Sequence, residues 1–403
     1  MNAPSLIDSA YAWRRLAASV ALSTMGGIGM WCLTVALPAV QTDLGVSRAD
    51  ISFAYSMNMA GFFAGGVVIG RLVDRRGVVL ATLVSALGLG AGFALAPTTS
   101  SLTLFAAAQV LIGFSAAATF APLVADISHW FEKRRGAAVA IAASGNYIAG
   151  AVWPPIVQLM IGAYGWRTTY FSAAIACLIV MIPLAFTLRR RAPDHEAGQT
   201  AAIAHLSRET LGISPNALQA LICLAGVSCC VAMSMPQVHI VAYCADLGYG
   251  VARGAEMLSL MLGFGIVSRV GSGWLADKVG GAMTLLLGST LQAIALVFYL
   301  VADSLTSLYL ASALFGLFQG GIVPSYAIIV REYFPAKEAA TRVGLAVSAT
   351  IVGMALGGWM GGELFDITGS YRAAFINGIG WNVLNAAIAW WLLSRQTRRP
   401  ATA

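Results

Sequence analysis

The residues best suited to chemistry are few, and they sit inside long apolar stretches. Arg269 lies in one of them, 252–273, about one helical turn before its end. A guanidinium in such a place is expensive, and its planar fork matches a carboxylate through two parallel hydrogen bonds. Two roles are open to it: receiving an anionic ligand, or reaching along its aliphatic stem to a polar boundary or a loop acid. One turn to either side stand Gly265 and Gly273, so its own helix offers no acid there. His239 is one turn after Pro236 and one turn before Tyr243, which puts the three on one helical face. There the imidazole would bond an anion or take up a proton near neutral pH, or stay neutral and buried on a carbonyl freed by Pro236.

Other stretches carry neutral polar groups. Tyr55, Asn58 and Phe62 share a helical face; Asn146 and Tyr147 precede Trp153; Gln319 and Tyr326 flank Pro324. Each either faces a ligand or makes an interhelical hydrogen bond, worth about 0.6 kcal/mol on average in a membrane. Trp31 suits a cavity wall or packing, and Asn382 and Asn385 suit packing. The sequence has no Walker-type phosphate cradle, H-E-x-x-H, G-x-S-x-G or paired intramembrane carboxylates. No enzyme activity, direct use of ATP, cofactor or metal is expected. The six cysteines all fall in apolar stretches without C-x-x-C spacing and read as small hydrophobes.

The elements that must position these groups follow from composition. Hydrophobic residues make up 59% of the 403-residue chain and charged residues 10%. A soluble domain carries about a quarter charged residues, so the bilayer is the fitting solvent. Twelve apolar runs long enough to cross it are 17–40, 51–71, 78–97, 102–129, 136–162, 168–188, 217–244, 252–273, 281–301, 306–330, 340–362 and 371–394. Pro122, Pro236 and Pro324 fall in the fourth, seventh and tenth. Arg14 and Arg15 precede the first run with no A-x-A site, so that run reads as a retained span. Residues 189–215 are polar and read as a surface linker, dividing 1–188 from 216–403. With both termini on one side, nineteen Lys and Arg residues gather there against four on the other. That side is expected to be cytoplasmic. The net charge of +7 is spread over short loops, which excludes a nucleic-acid-binding face.

The chain also repeats itself. Gly70-Arg71-Leu72-Val73-Asp74-Arg75-Arg76-Gly77 and Gly273-Trp274-Leu275-Ala276-Asp277-Lys278-Val279-Gly280 both read Gly-x-Leu-x-Asp-basic-x-Gly, 203 positions apart. Gly113 and Gly316 keep that register, as do Trp130-Phe131 and Tyr333-Phe334, while Pro122 and Pro324 differ by 202. Two parallel halves built this way hold a site between them near mid-membrane. Asp74, Arg75, Asp277 and Lys278 sit at helix ends, where they pair with other charges and helix dipoles. Asp126 is the expected partner of Arg75, and these pairs read as a cytoplasmic latch.

These landmarks resemble the major facilitator superfamily, whose signature between helices 2 and 3 the first loop is similar to; the second loop is similar to its weaker copy between helices 8 and 9. Val238-His239-Ile240-Val241-Ala242-Tyr243-Cys244-Ala245-Asp246-Leu247-Gly248 and Ser268-Arg269-Val270-Gly271-Ser272-Gly273-Trp274-Leu275-Ala276-Asp277 resemble the bacterial branch of the monocarboxylate transporter family, near oxalate–formate antiporters. So does Trp130-Phe131-Glu132-Lys133-Arg134-Arg135-Gly136. The resemblance implies an all-α membrane protein of twelve transmembrane helices in two six-helix pseudo-symmetric bundles, the major facilitator fold. It further implies that helices 2, 5, 7, 8 and 10 line the cavity, making Arg269, His239, Tyr243, Tyr326, Asn146, Tyr147, Tyr55 and Asn58 the substrate-binding candidates. Animal relatives place an aspartate one turn before the arginine, where this chain has Gly265.

The expectation is a secondary transporter for a small mono- or dicarboxylate, coupled to a proton or run as an anion exchange. The competing expectations are an exporter of neutral or cationic compounds and, from another class, a transporter-fold sensor. Drug–proton antiporters of the superfamily bury an acid in the first half, and this chain has none away from its helix ends. A monomer in the cell inner membrane, in contact with lipid and no nucleic acid, completes the reading.

Overall fold

Backbone N–H and C=O groups in hydrocarbon must be satisfied within their own segment, which leaves helices as the local solution for apolar runs of this length. A computed structural model describes residues 7–190, 213–302 and 304–396. All regular structure among them is helical. In order the helices are α1 (Ala10–Gly26), α2 (Ile28–Leu44), α3 (Arg48–Arg76), α4 (Val78–Leu95), α5 (Leu102–Ala116), α6 (Ala121–Ile127) and α7 (Arg135–Thr187). Then come α8 (Pro215–Asp246), α9 (Val251–Val279), α10 (Gly281–Val301), α11 (Leu305–Gln319), α12 (Ile322–Tyr333), α13 (Ala336–Thr368) and α14 (Tyr371–Gln396).

The helices do not reproduce the twelve expected runs one for one. Among the described residues, ten stretches are long and apolar enough to cross a membrane. One of them, α7, spans 53 residues and contains two expected runs, parted at Gly165, whose φ of 77° and ψ of 163° are non-helical. The 26-residue α14 stands where the twelfth run was expected and is not among the ten. The run at 102–129 is broken instead of continuous. A 3-10 turn, Ala117–Thr119, and Phe120 at φ −119°, ψ −90° separate α5 from α6. Pro122 then opens α6, where a missing N–H costs no helical bond. The run at 306–330 is likewise divided at Gly320–Gly321, just before Pro324. Pro236, by contrast, lies inside an uninterrupted α8.

The two repeated loops have one backbone conformation. Gly77 sits at φ 85°, ψ 167° and Gly280 at φ 82°, ψ 168°. Positive φ is cheap only for glycine, so the closing glycine of the motif is a backbone requirement. The opening glycines, Gly70 and Gly273, have open space around them and no such constraint.

Two compact units form. The first holds the described residues up to 190 together with Ile240–Gly263, the end of α8 and the start of α9. In it α3 and α5 touch through glycines: a Cβ on Gly61, Gly65 or Gly113 would run into the carbonyl oxygen of Val110, Phe114 or Asn58. Small residues at such contacts let backbones approach without a hydrophobic driving force. The 240–263 hairpin joins this unit through Ser259 Oγ, which donates to the Ala151 carbonyl, and through Leu262 against Gly150. The second unit holds residues 213–239 and the described residues from Phe264 onward, packed around a core that includes Leu218, Ile222, Ile329 and Leu392. The expected 189–215 linker lies largely outside the described residues.

Candidate functional site

In the second unit, the region around Arg269 is shaped by the break between α11 and α12. A Cβ on Gly320 would lie 2.5 Å from the Gly265 carbonyl oxygen, 2.8 Å from Ser268 Cβ and 3.0 Å from the Arg269 amide nitrogen. On Gly321 it would collide with Ser272 Cβ and Oγ. One face of α9, from Gly265 to Ser272, is therefore laid directly on the two glycines. Ser272 Oγ also donates to the Arg269 carbonyl at 3.1 Å. Arg269 is half-buried, and its Nε is shielded from solvent. The backbone carrying this guanidinium is thus fixed by contacts that tolerate no added methyl group.

Beside the break, Gln237 Nε2 on α8 donates to Gln319 Oε1 on α11 at 2.8 Å. Both side chains are buried. Gln319 Nε2 has no hydrogen-bond partner among the described residues. Gln237 was not singled out from sequence; its position directly after Pro236 was the available signal.

His239 is fully buried. Nε2 lies 2.8 Å from the Gly358 carbonyl and Nδ1 lies 3.3 Å from the Tyr371 hydroxyl. The carbonyl only accepts, so Nε2–H donates to it and Nδ1 is left to accept from the tyrosine. The Tyr371 ring stands 5.2 Å from the imidazole, centroid to centroid. A Cβ on Gly361 would come within 2.5 Å of Cδ2 and Nε2, so glycine is what admits the ring. Tyr326 is also fully buried, with its hydroxyl donating to Asn385 Oδ1 at 2.9 Å. Asn385 Nδ2 donates on to Ser289 Oγ at 2.6 Å, and Asn382 Nδ2 donates to the Ser289 carbonyl at 2.7 Å. Both tie α14 to α10.

The other candidates belong to the first unit. Asn58 Nδ2 donates to the Gly29 carbonyl at 3.0 Å and to Gln109 Oε1 at 3.1 Å. Gln109 Nε2 donates to the Tyr170 hydroxyl at 3.3 Å. This buried chain joins four helices, α2, α3, α5 and α7. Tyr55, Tyr147 and Tyr243 are buried. Asn146 is half-buried, and its carbonyl accepts a long 3.4 Å bond from Trp31 Nε1. Trp153 Nε1 donates to the Thr24 carbonyl at 2.7 Å. Tyr55, Asn58, Asn146, Tyr147 and Tyr243 thus form one set, and Arg269, His239 and Tyr326 another, in separate units.

The charged loops differ from expectation in their pairing. Asp126 gives both carboxylate oxygens to Arg15, at 2.7 Å from Nε and 2.7 Å from Nη2, in place of the expected Arg75. Arg15 wins because α1 carries it into a buried seat over the Trp130 ring, 4.5 Å from the centroid. Its Nη1 donates to the carbonyls of Leu188 and Arg190 at 3.0 and 3.1 Å. Asp74 and Arg75 line a neighbouring cavity of about 610 Å³ with Asp126. In the second unit Asp277 and Lys278 are exposed, and the Lys278 ammonium lies 3.6 Å from the Trp274 ring centroid. Glu332, which sequence reading passed over, accepts from the Gly281 N–H at 2.8 Å and caps α10. Among the described residues no three His, Cys, Asp or Glu side chains cluster as a metal site.

Among the described residues, ten helical stretches of membrane-crossing length and a matched pair of charged turns mark a multi-pass membrane protein. The sequence pattern of the Major Facilitator Superfamily matches residues 20–306 and 257–403, and the chain belongs to that superfamily. It is 29% identical over 343 residues to monocarboxylate transporter 13 of Rattus norvegicus, across 81% of this chain and 76% of the relative. Monocarboxylate transporter 11 of Homo sapiens is 26% identical, across 92% and 80%. The fold is similar to that of the nucleoside transporter NupG, with a TM-score of 0.75 at 11% identity over 95% of this chain and 99% of that one. A bacterial homolog of the lysosomal transporter Spinster aligns with a TM-score of 0.74 at 14% identity, over 97% and 98%. The relatives are transporters, not enzymes, and the chain resembles their monocarboxylate branch.

Proposed function

We propose that this transporter moves a small organic anion, a mono- or dicarboxylate, by alternating access, and that Arg269 holds the carboxylate. The observation that carries the reading is a half-buried arginine inside a crossing helix, its backbone wedged on Gly320 and Gly321. Relatives named monocarboxylate transporters support the substrate class. Gln319, whose Nε2 is a spare buried donor one residue from that break, is the neutral group best placed to second the arginine. His239 and Tyr326, with their polar atoms on protein partners, hold helices in register and serve the site indirectly.

A bound carboxylate meets the Arg269 guanidinium and favours its burial. Anion binding thereby lowers the barrier to rocking the two halves across the 189–215 linker. Both termini face the cytoplasm of a cell whose inner membrane holds the protein, and the driving force is a co-transported proton or a counter-anion. The test is uptake of labelled mono- and dicarboxylates into proteoliposomes. Arg269→Ala is expected to lose about 2–5 kcal/mol of anion binding while remaining folded. Wild-type uptake in that variant overturns the assignment. Thermal stabilisation by neutral or cationic solutes, but by no carboxylate, favours the exporter reading.

A further inference from the structure

The cavity of about 610 Å³ in the first unit is lined by an unusual excess of arginine for a chain so poor in charge. Arg15 there is cancelled by Asp126. Among the described residues, Arg75, Arg76, Arg189 and Arg190 remain against one acid, Asp74, so four positive charges there face one negative. Two of the four lie over aromatic rings: Arg189 Cζ is 4.5 Å from the Phe186 ring centroid and Arg190 Cζ is 4.9 Å from that of Tyr11. Gly77, Val78 and Val79 also line the cavity, and they are the start of α4. Gly77 has no side chain to cap that helix, and a helix N-terminus carries positive potential.

The repeat tells what is missing. In the second half the matching helix start, Gly281, donates to the Glu332 carboxylate. Subtracting the 203-residue repeat takes Gly281 to Val78 and Glu332 to His129. The first copy therefore has a histidine where the second has its capping carboxylate, and His129 does not line the cavity. Among the described residues no carboxylate takes the place of Glu332 in this copy, and an anion would complete it.

We propose that this cavity is a binding site for a phosphate-bearing anion, separate from the carboxylate site. Arginine forks and helix N-termini both bind phosphate, and here the arginines and the start of α4 line one space. The volume is that of a small-ligand site, large enough for a lipid headgroup or a free phosphate compound. Scattered loop arginines that merely set orientation would have no reason to converge on a capless helix.

The test uses the full-length protein in nanodiscs and reads thermal stability. In one arm phosphatidylglycerol replaces part of a phosphatidylcholine bilayer; in the other, pyrophosphate is added to pure phosphatidylcholine discs at constant ionic strength. Stabilisation by phosphatidylglycerol alone identifies a lipid headgroup; stabilisation by pyrophosphate identifies a soluble phosphate. Either effect is expected to need about tenfold more ligand in Arg76→Gln/Arg189→Gln, since charge-assisted bonds are lost. The Arg76→Lys/Arg189→Lys variant separates loss of the site from loss of the fold, and is expected to keep part of the effect. No stabilisation in either arm, or equal stabilisation of wild type and the glutamine variant, overturns the proposal. Arg269→Ala leaves this readout unchanged, so failure of the carboxylate reading would not touch it.

Discussion

Arg48 and Asp246 are joined by two bonds, of 3.1 Å from Nη1 and 3.4 Å from Nη2, although 198 residues separate them. Arg48 Nε also donates to Gln41 Oε1 at 2.6 Å, so the guanidinium is held from two sides. Its side chain is 9% exposed and that of Asp246 33%, so the pair is only partly screened. It clamps the 240–263 hairpin onto the start of α3, within the first unit. Arg48→Ala is expected to loosen this clamp by about 1–3 kcal/mol, because Asp246 keeps its burial and loses its partner. Cys244, buried two residues from Asp246, reports the change in a variant where it is the sole cysteine. Its labelling by a maleimide should speed up several-fold in Arg48→Ala; an unchanged rate rejects the clamp.

Arg15 and Asp126 form the better-shielded pair, with side chains 1% and 12% exposed. Removing one partner of such a pair leaves a buried charge, at a cost of about 3–5 kcal/mol. Asp126→Asn should therefore lower the melting temperature sharply, and Arg15→Lys less so, since charge survives without the fork. The double replacement Arg15→Leu/Asp126→Leu is expected to recover much of the loss. Losses that simply add across the two sites would refute the coupling.

The fold class was readable in the sequence because it rests on run length and repeat register, which lipid enforces strongly. Single side chains were less readable. Arg269 stood out because charge in an apolar run is rare. Arg15 looked like one more orientation charge, since nothing in a linear pattern tells that α1 would bring it over Trp130. Tyr326, His239 and Asn58 carry polar atoms that suit a ligand, yet each found a carbonyl, an amide or a hydroxyl on a neighbouring helix. Helical periodicity gives the face of a residue and not the neighbour it meets. Glu332 was not legible from the repeat, because the 203-residue register pairs it with His129 and no carboxylate in the first copy marks the position.

Gly361 and His239 are matched in shape, so Gly361→Ala should displace the imidazole from Gly358 and Tyr371. Overpacking of this kind costs about 1–3 kcal/mol. His239→Ala alone is expected to destabilise by a similar amount, through loss of packing and of the Gly358 bond. If His239 holds helices, neither change should alter the pH dependence of uptake per folded molecule. A shift in that profile on replacing His239 would instead make it a proton carrier.

Glu332 holds the start of α10 through the Gly281 N–H, and loss of an N-terminal cap costs about 1 kcal/mol. Glu332→Gln keeps the shape and an acceptor but loses the charge that favours a helix N-terminus. Its melting temperature should fall between those of wild type and Glu332→Ala. Equal values for all three would remove the cap from the account.

Gly321 and Ser272 give the sharpest test of how Arg269 is positioned. A Cβ on Gly321 would strike Ser272 Cβ and Oγ, three residues along α9 from the arginine. Gly321→Ala must push α9 away from the break or shift its register, and either motion carries the guanidinium with it. The expected result is a loss of carboxylate-induced thermal stabilisation larger than the loss of stability itself, which overpacking limits to about 1–3 kcal/mol. Ser272→Gly removes both atoms that the new methyl group meets. In the Gly321→Ala/Ser272→Gly variant the helix can return, so ligand-induced stabilisation should reappear even though α9 has gained a flexible glycine. A double variant that folds but stays blind to carboxylates would mean that the break does not set the position of Arg269.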